Sequence, residues 1–159
     1  DVALRNRFGD GQVVAGGTGH YEVVLVAYDP EVVTYEELLY VFWRNVDLFD
    51  AGGQFCDRGE SYLTAIFYET ERQRELAEAS KQELVSSGRF SREIVTPIIP
   101  IDGDGDDSGG FWIAEEYHQD YYLKNPIQYR FYKEGCGRVR RLEQIWGDEA
   151  GAPSLQEET

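Results

Sequence analysis

Three short clusters of polar and aromatic residues contain the side chains that could do chemistry. Each cluster lies at the edge of a predicted helix or strand, where binding and catalytic residues are often found. The clusters are residues 18–22 (TGHYE), 55–62 (FCDRGESY) and 114–119 (AEEYHQ). They combine carboxylates, imidazoles, phenols and one thiol, which are the groups that move protons or attack electrophiles.

Glu22 is the clearest candidate for a general acid. It alternates with Val24 and Val26, so in a strand the three side chains would share one face. If that face were turned toward an apolar interior, burial would raise the pKa of Glu22 toward neutrality and suit it to donate a proton. Glu22 could equally be an exposed residue at the start of a strand.

Metal and triad chemistry have weak support. His20 and His118 are the only histidines, and Cys56 and Cys136 lack CxxC spacing, so we predict no metal site. No GxSxG motif marks a nucleophilic serine. The two cysteines could be free, catalytic or bridged, because a disulfide needs Cα atoms within about 7 Å and their sequence separation decides nothing.

Composition limits the classes of partner. The chain has 159 residues, the size of one domain, and a net charge of −15. A protein that binds nucleic acid or an anionic membrane surface needs clustered Lys and Arg, so we expect neither kind of partner. No apolar run approaches the roughly 20 residues that a membrane helix needs, which predicts no membrane insertion.

The order of predicted elements indicates an α+β fold. Thr34 with Glu37, and Thr70 with Gln73, have capping-box spacing and predict two helix starts. The predicted elements are strands over 21–28, 62–68 and 92–99, helices from Thr34 to near Asn45 and from Thr70 to about Ser87, and later a short helix over 114–124 and helical structure toward Trp146. Segregated helices on one sheet would make a two-layer sandwich.

The acidic segments are predicted to be peripheral. Residues 102–110 (DGDGDDSGG) resemble the start of a calcium loop, but Asp107 and Ile113 stand where an EF-hand needs Gly and Glu. We therefore expect an acidic insertion loop within a single domain over 1–147. Residues 148–159 are expected to form a flexible acidic tail.

Several of these segments resemble the A-type peptide methionine sulfoxide reductase family. The similar stretches, in order, are GTGHYEVVLVAYDPEVVTYEELLYVFWRNVD, QFCDRGESYLTAIFY, FWIAEEYHQDYYLKNP and QYRFYKEGCGRVRRLEQIWG. They cover roughly residues 11 to 147. The resemblance implies a ferredoxin-like two-layer α/β sandwich and reduction of the S-epimer of methionine sulfoxide. It also implies no prosthetic cofactor, with thioredoxin or another thiol as reductant.

The resemblance also implies roles for individual residues. Glu22 would protonate the sulfoxide oxygen, Tyr62 would donate a hydrogen bond to that oxygen, and Asp57 would order polar groups and water. Cys136 is similar to late cysteines that resolve the oxidised nucleophile. The expected substrate pocket adds a further set of residues at matching positions: His20, Tyr21, Cys56, Tyr117 and His118.

The sequence departs from the family pattern at its reactive centre. The Gly-Cys-Phe-Trp motif that carries the family's nucleophile is absent, and Leu63 stands where relatives usually have Arg. Loss of the strand before that motif would leave a sheet that is incomplete or completed by a partner chain. Cys56 could replace the nucleophile, although it lies in a different loop.

Three functions follow from this comparison. The sequence as printed predicts a reductase-derived pseudoenzyme that serves as a binding or structural subunit of a larger assembly. The alternative is an active thiol-dependent peptide-methionine (S)-S-oxide reductase whose catalytic segment lies outside these 159 residues. The third is a module that binds methionine sulfoxide without turnover.

Overall fold

The chain contains both helices and short strands, with three consecutive helices at its C-terminal end, which confirms the α+β class. The computed structural model describes residues 2–4, 19–101 and 111–151. The strands are β1 Val2–Leu4, β2 Glu22–Val24, β3 Gly53–Gln54, β4 Asp57–Arg58, β5 Ile66–Tyr68 and β6 Ile98–Pro100. The helices are α1 Tyr35–Asn45, α2 Glu71–Ser86, α3 Tyr121–Lys124, α4 Pro126–Gly135 and α5 Arg138–Trp146. The predicted acidic loop at 102–110 lies outside the described residues.

The described strands pair two at a time. β1 and β2 are antiparallel, with Val2 opposite Val24; β3 and β4 form an antiparallel hairpin; and β5 and β6 are parallel, with Ile66 opposite Ile98. The strands predicted at 21–28, 62–68 and 92–99 are each only three residues long in the structure. At the third strand the reason is Pro97, which has no N–H for the ladder. Its carbonyl still accepts from the Ile66 N–H at 3.0 Å.

Both predicted capping boxes are present and begin the two long helices. Thr34 Oγ1 accepts from Glu37 N at 3.2 Å, while Thr34 N donates to the Glu37 carboxylate at 2.7 Å. Thr70 and Gln73 repeat this exchange at 3.2 and 3.1 Å. Each box satisfies backbone N–H groups that the first helical turn leaves free.

The core lies where α1, α2 and α5 pack beside β5. Its buried members are apolar and include two tryptophans: Leu39, Trp43, Leu48, Ile66, Ala77, Ile94, Leu142, Ile145 and Trp146. The Trp43 indole donates to Ser80 Oγ at 2.9 Å, which ties α1 to α2. Because α1 and β5 both pack in this core, both ends of the loop that connects them are held in place.

The C-terminal half differs from the prediction. The helix expected over 114–124 is reduced to α3, because Asp120 takes a left-handed backbone conformation (φ 53°) just before it. Pro126 begins α4, as proline can at a first helical position. The helical conformation is interrupted between α4 and α5 at Cys136 and Gly137. Gly137 has a left-handed backbone conformation, with φ 66°.

The first residues of the predicted tail pack against α1. A 3₁₀ turn at Gly147–Glu149 follows α5, and Gly151 N donates to the Arg44 carbonyl at 3.0 Å. The Glu149 carboxylate contacts the Arg44 and Arg89 guanidinium groups at 2.5 Å each. Residues 152–159 lie outside the described residues.

Candidate active site

The loop between α1 and β5 is anchored by a buried aspartate. Asp47 is 6% exposed, and its carboxylate accepts from Phe49 N at 3.0 Å. Arg141 on α5 donates two hydrogen bonds to the same carboxylate, from Nε to Oδ2 at 2.5 Å and from Nη2 to Oδ1 at 3.1 Å. This forked pair satisfies a charge that would otherwise be costly to bury, and it fixes the loop to α5.

The β3–β4 hairpin holds the tip of that loop in a tight conformation. Gly53 has φ 149°, and an added Cβ would lie 2.1 Å from the Asp57 carbonyl oxygen, so only glycine fits there. Phe55 at the tip has φ 54°, and the Arg138 guanidinium lies 4.6 Å from the centroid of its ring. The hairpin thereby presents Cys56 beside the junction of α4 and α5.

A disulfide joins Cys56 to Cys136 at that junction. The two Cα atoms are 5.2 Å apart although the residues are separated by 80 positions in the chain. Cys56 is exposed and Cys136 is half-buried. The bridge connects the hairpin tip to both C-terminal helices.

Tyr132 brings the predicted acid residues together. Its hydroxyl donates a hydrogen bond to Asp57 Oδ1. The pKa of Tyr132 is raised, first by desolvation of the phenol, then by the bond to Asp57 and by the nearby ionisable groups of Asp57, Tyr62 and Glu22. Those four side chains form what we call the acid cluster: Glu22, Asp57, Tyr62 and Tyr132.

Of the two alternatives for Glu22, the described part of the chain shows the exposed one and not the apolar one. Glu22 is exposed, and Val24 and Val26 are also 63% and 54% exposed. The alternation does hold between Glu22, Val23 and Val24, where only Val23 is half-buried. Period-two spacing places residues on a common face, but it does not say whether other parts of the fold cover that face.

The remaining predicted pocket residues lie in two places. His20 and Tyr21 precede β2, and the Tyr21 ring meets the Phe67 ring edge-on at 5.4 Å. Tyr117 and His118 stack in the turn before α3 with ring centroids 4.3 Å apart. Their role as pocket residues stays a prediction, as do the roles of Glu22, Tyr62, Asp57 and Cys136.

Sequence reasoning missed Tyr132, Asp47 and Arg141. Tyr132 lies four residues before Cys136, and Cys136 N donates to the Tyr132 carbonyl at 2.9 Å. Because residues four apart share a helix face, a Cys56–Cys136 bridge would have placed Tyr132 against Asp57. Asp47 and Arg141 are 94 positions apart, so no short sequence pattern predicts that they form a pair.

Residues 2–4, 19–101 and 111–151 contain neither a metal-binding cluster nor a membrane-spanning helix. In these three ranges, no group of three or more His, Cys, Asp or Glu side chains is arranged to hold a metal ion. Within the same part of the chain, no helix is long and apolar enough to cross a membrane.

Known proteins match this chain over most of its length. The family model described as peptide methionine sulfoxide reductase matches residues 10–150. A peptide methionine sulfoxide reductase MsrA of Bacillus licheniformis is 48% identical over 136 residues, which are 86% of this chain and 71% of that protein. An MsrA 2 of Staphylococcus aureus is 44% identical over 138 residues, 87% of this chain and 74% of that protein.

Two solved structures share the fold. Methionine sulfoxide reductase A of Corynebacterium diphtheriae superposes with a TM-score of 0.64 at 29% identity, covering 79% of this chain and 63% of that one. Reduced Mxr1 from Saccharomyces cerevisiae gives 0.66 at 31% identity, covering 79% and 70%. The chain thus spans somewhat under two thirds of the first of these structures.

The family model and the shared fold define a domain of the methionine sulfoxide reductase A type. The chain belongs to the peptide methionine sulfoxide reductase family.

Proposed function

We propose that this domain binds methionine sulfoxide in proteins and provides the acid and the thiol exchange of a peptide-methionine (S)-S-oxide reductase. The observation that supports the proposal most strongly is the bond from Tyr132 to Asp57. Asp57 directly follows Cys56, and Tyr132 precedes Cys136 by one helical turn. The acid cluster and the disulfide are therefore built from the same two segments.

The chemistry assigns a separate task to each member of the acid cluster. A thiolate that attacks the sulfoxide sulfur can displace the S–O bond only if the oxygen gains a proton. Glu22 in its acid form supplies that proton, and the Tyr62 hydroxyl donates a hydrogen bond to the same oxygen. Tyr132 remains a protonated donor because its pKa is raised, and it orients Asp57.

The sulfur chemistry then proceeds by exchange. As the S–O bond of the sulfoxide breaks, the protonated oxygen is transferred to the sulfur of the attacking cysteine and methionine leaves, so that the sulfoxide is reduced and the cysteine is oxidised to a sulfenic acid. A second thiol then condenses with the sulfenic acid to a disulfide with loss of water. A dithiol reductant such as thioredoxin, the reductant class used by the family, returns the cysteines to thiols. Cys136 is the resolving thiol in this scheme.

The attacking cysteine must be a third one. The printed sequence has two cysteines, and both are in the Cys56–Cys136 disulfide. Reductase turnover by this scheme therefore requires a thiol from outside the 159 residues. We favour this external nucleophile over Cys56 as the attacking cysteine.

Substrate binding would give Glu22 the apolar surroundings that it lacks. The exposed Val24 and Val26 side chains offer apolar surface along the segment that follows Glu22. A methionine side chain that packed on this segment would remove water near the carboxyl group. Such desolvation favours the neutral, proton-donating form of a carboxylic acid.

Epimer-resolved turnover tests the proposal. The native polypeptide, with whatever precedes residue 1 in the cell, is incubated with dithiothreitol and a peptide that contains both epimers of methionine sulfoxide. We expect chromatography to show loss of the S-epimer and persistence of the R-epimer. Persistence of both epimers would contradict the proposed reductase activity.

A binding subunit without turnover is the second candidate. It is favoured by the pairing of both cysteines of the printed sequence and by Leu63 in place of the family's usual Arg. Saturable binding of the S-sulfoxide peptide without any loss of the S-epimer would support it. Turnover by the native polypeptide as a monomer would exclude it.

A further inference from the structure

We infer that the two sulfurs of the Cys56–Cys136 disulfide are not equivalent: an external thiol attacks Cys56, and Cys136 is the sulfur that leaves. This inference deepens the proposed function, because it assigns the direction in which reducing equivalents enter the domain. It rests on two independent features of the structure, access to the sulfurs and the charges that surround them.

Access favours attack on Cys56. Cys56 is exposed at the tip of the β3–β4 hairpin, whereas Cys136 is half-buried between α4 and α5. Thiol–disulfide exchange needs the attacking sulfur to approach along the line of the S–S bond, from the side opposite the leaving sulfur. The exposure of Cys56 therefore favours approach of an external thiol to the Cys56 end of that line.

Charge favours departure of Cys136. Cys136 lines a cavity of about 270 Å³ together with Phe55, Arg140 and Arg141. A Cβ atom added to the next residue, Gly137, would lie 4.0 Å from Arg140 Nη2. A nearby guanidinium group stabilises a thiolate, and the sulfur whose thiolate is more stable leaves faster.

The basic character of this cavity is local. Its lining residues include Arg140 and Arg141, and Arg138 lies over the ring of Phe55, another lining residue. Asp47 and Asp50 also line the cavity, but their carboxylates are bonded to Arg141 and Arg58 respectively. In a chain of net charge −15, these arginines form a positive environment on the side where Cys136 lies.

The start of α5 acts in the same direction. Gly137 is the N-cap residue of that nine-residue helix, and Cys136 directly precedes it. The partial positive charge of a helix N-terminus stabilises a thiolate beside it. The position of Cys136 at this helix start therefore supports Cys136 as the leaving sulfur, as do the nearby arginines and the exposure of Cys56.

The exchange balances as two successive steps. A reductant thiolate attacks Cys56 Sγ, a mixed disulfide forms, and the electron pair of the broken S–S bond passes to Cys136 as a thiolate. A second thiolate of the reductant attacks the reductant sulfur of the mixed disulfide and releases Cys56. The reductant is oxidised by two electrons, and the two cysteines gain those electrons and two protons.

The thiolate first released therefore belongs to the same segment as Tyr132, one member of the acid cluster. Cys136 follows Tyr132 by one turn of α4, and Tyr132 contacts Asp57. The structure therefore assigns Cys56 to exchange with the external reductant and Cys136 to the resolving step.

Trapping the first mixed disulfide tests this assignment. The oxidised protein is mixed with glutathione, acid-quenched at early times, alkylated with N-ethylmaleimide at low pH and mapped by tandem mass spectrometry. We expect glutathione on Cys56 and the maleimide on Cys136, in at least tenfold excess over the reverse pattern. Equal adducts, or glutathione mainly on Cys136, would overturn the assignment. No sulfoxide is present, so this result does not depend on reductase turnover.

A matched pair of variants tests the charge argument. Arg140→Gln removes a guanidinium beside Cys136, whereas Arg72→Gln removes an exposed one from α2. We expect the first variant to slow the attack by at least threefold and the second to leave it unchanged. The neutral thiol 2-mercaptoethanol should show the same slowing, because the effect is on the leaving thiolate. If Arg140→Gln reacted at the wild-type rate with both thiols, Arg140 would not stabilise the leaving Cys136 thiolate. If it reacted more slowly with glutathione alone, Arg140 would instead attract the negatively charged glutathione, which would also overturn the charge argument.

Discussion

The Tyr132 hydroxyl donates a hydrogen bond to the Asp57 carboxylate across 75 positions of sequence. That bond joins α4 to the hairpin whose tip carries Cys56, and the disulfide joins the same two segments one turn further on. The acid cluster and the disulfide thus stabilise each other's position. A change in either should therefore be detected at the other.

Replacement of Tyr132 by Phe should weaken sulfoxide chemistry without unfolding the domain. The ring is kept, but Asp57 loses a donor, and a hydrogen bond to a charged group contributes on the order of 1.5–3 kcal/mol. Because Tyr132 is 51% exposed, we expect the lower part of that range, about a 10- to 30-fold loss of kcat/KM for the S-sulfoxide. Tyr129→Phe, three residues earlier on the same helix, is the matched control. Equal losses in both variants would contradict a specific role for Tyr132.

Titration of the tyrosines should reveal the altered environment of Tyr132. Its pKa is raised, so in the folded protein it ionises above the ordinary range near 10, whereas in the unfolded chain it ionises within that range. The folded state therefore holds its proton more tightly, and this contribution to stability is present below pH 10 and is lost as pH rises above it. Ultraviolet absorbance at alkaline pH should show late-titrating tyrosines, because the pKa of Tyr35 is raised as well, and Tyr132→Phe should remove one of them. An unchanged titration end point would refute the shift.

Replacement of Arg141 by Leu should destabilise the fold strongly. Asp47 is 6% exposed and would be left as a buried carboxylate without its partner, which typically costs about 3–5 kcal/mol. Arg130→Leu breaks an exposed pair with Glu134 and should cost less than about 1 kcal/mol. Chemical denaturation of both variants measures the difference. Similar losses would show that the Asp47–Arg141 pair does not anchor the loop.

Acid should loosen the turn that follows α5. The pKa of Glu149 is lowered by its hydrogen bonds from Arg89 and then Arg44. A lowered pKa means that the contribution of Glu149 is present above the ordinary value near 4.5 and is lost as pH falls through the lowered one. Glu149→Gln should therefore reduce stability at pH 7 and flatten its decline below pH 4.5, measured by thermal unfolding across pH. A variant that declines as steeply as the parent would contradict this role.

Local signals predicted the parts of the fold that depend on adjacent residues. The capping boxes at Thr34 and Thr70 begin helices because their partners are three residues away, and the order of strands and helices gave the α+β class. Strand lengths were overpredicted, because a β-branched run such as 21–28 does not reveal how many of its residues find a ladder partner. At the site, single members such as Glu22 and Asp57 could be selected. Their proximity could not, since Tyr132 and the disulfide that create it come from the far end of the chain.

The proposed role of Glu22 as proton donor can be tested by turnover of the S-sulfoxide by the native polypeptide with Glu22→Gln. Glutamine keeps the size and a hydrogen-bond donor but has no acidic proton. We expect binding of the S-sulfoxide peptide to change by less than about threefold, while kcat falls by on the order of 10²–10⁴, the usual contribution of a general acid. A variant that retains the kcat of the unmodified protein would show that another group protonates the sulfoxide oxygen.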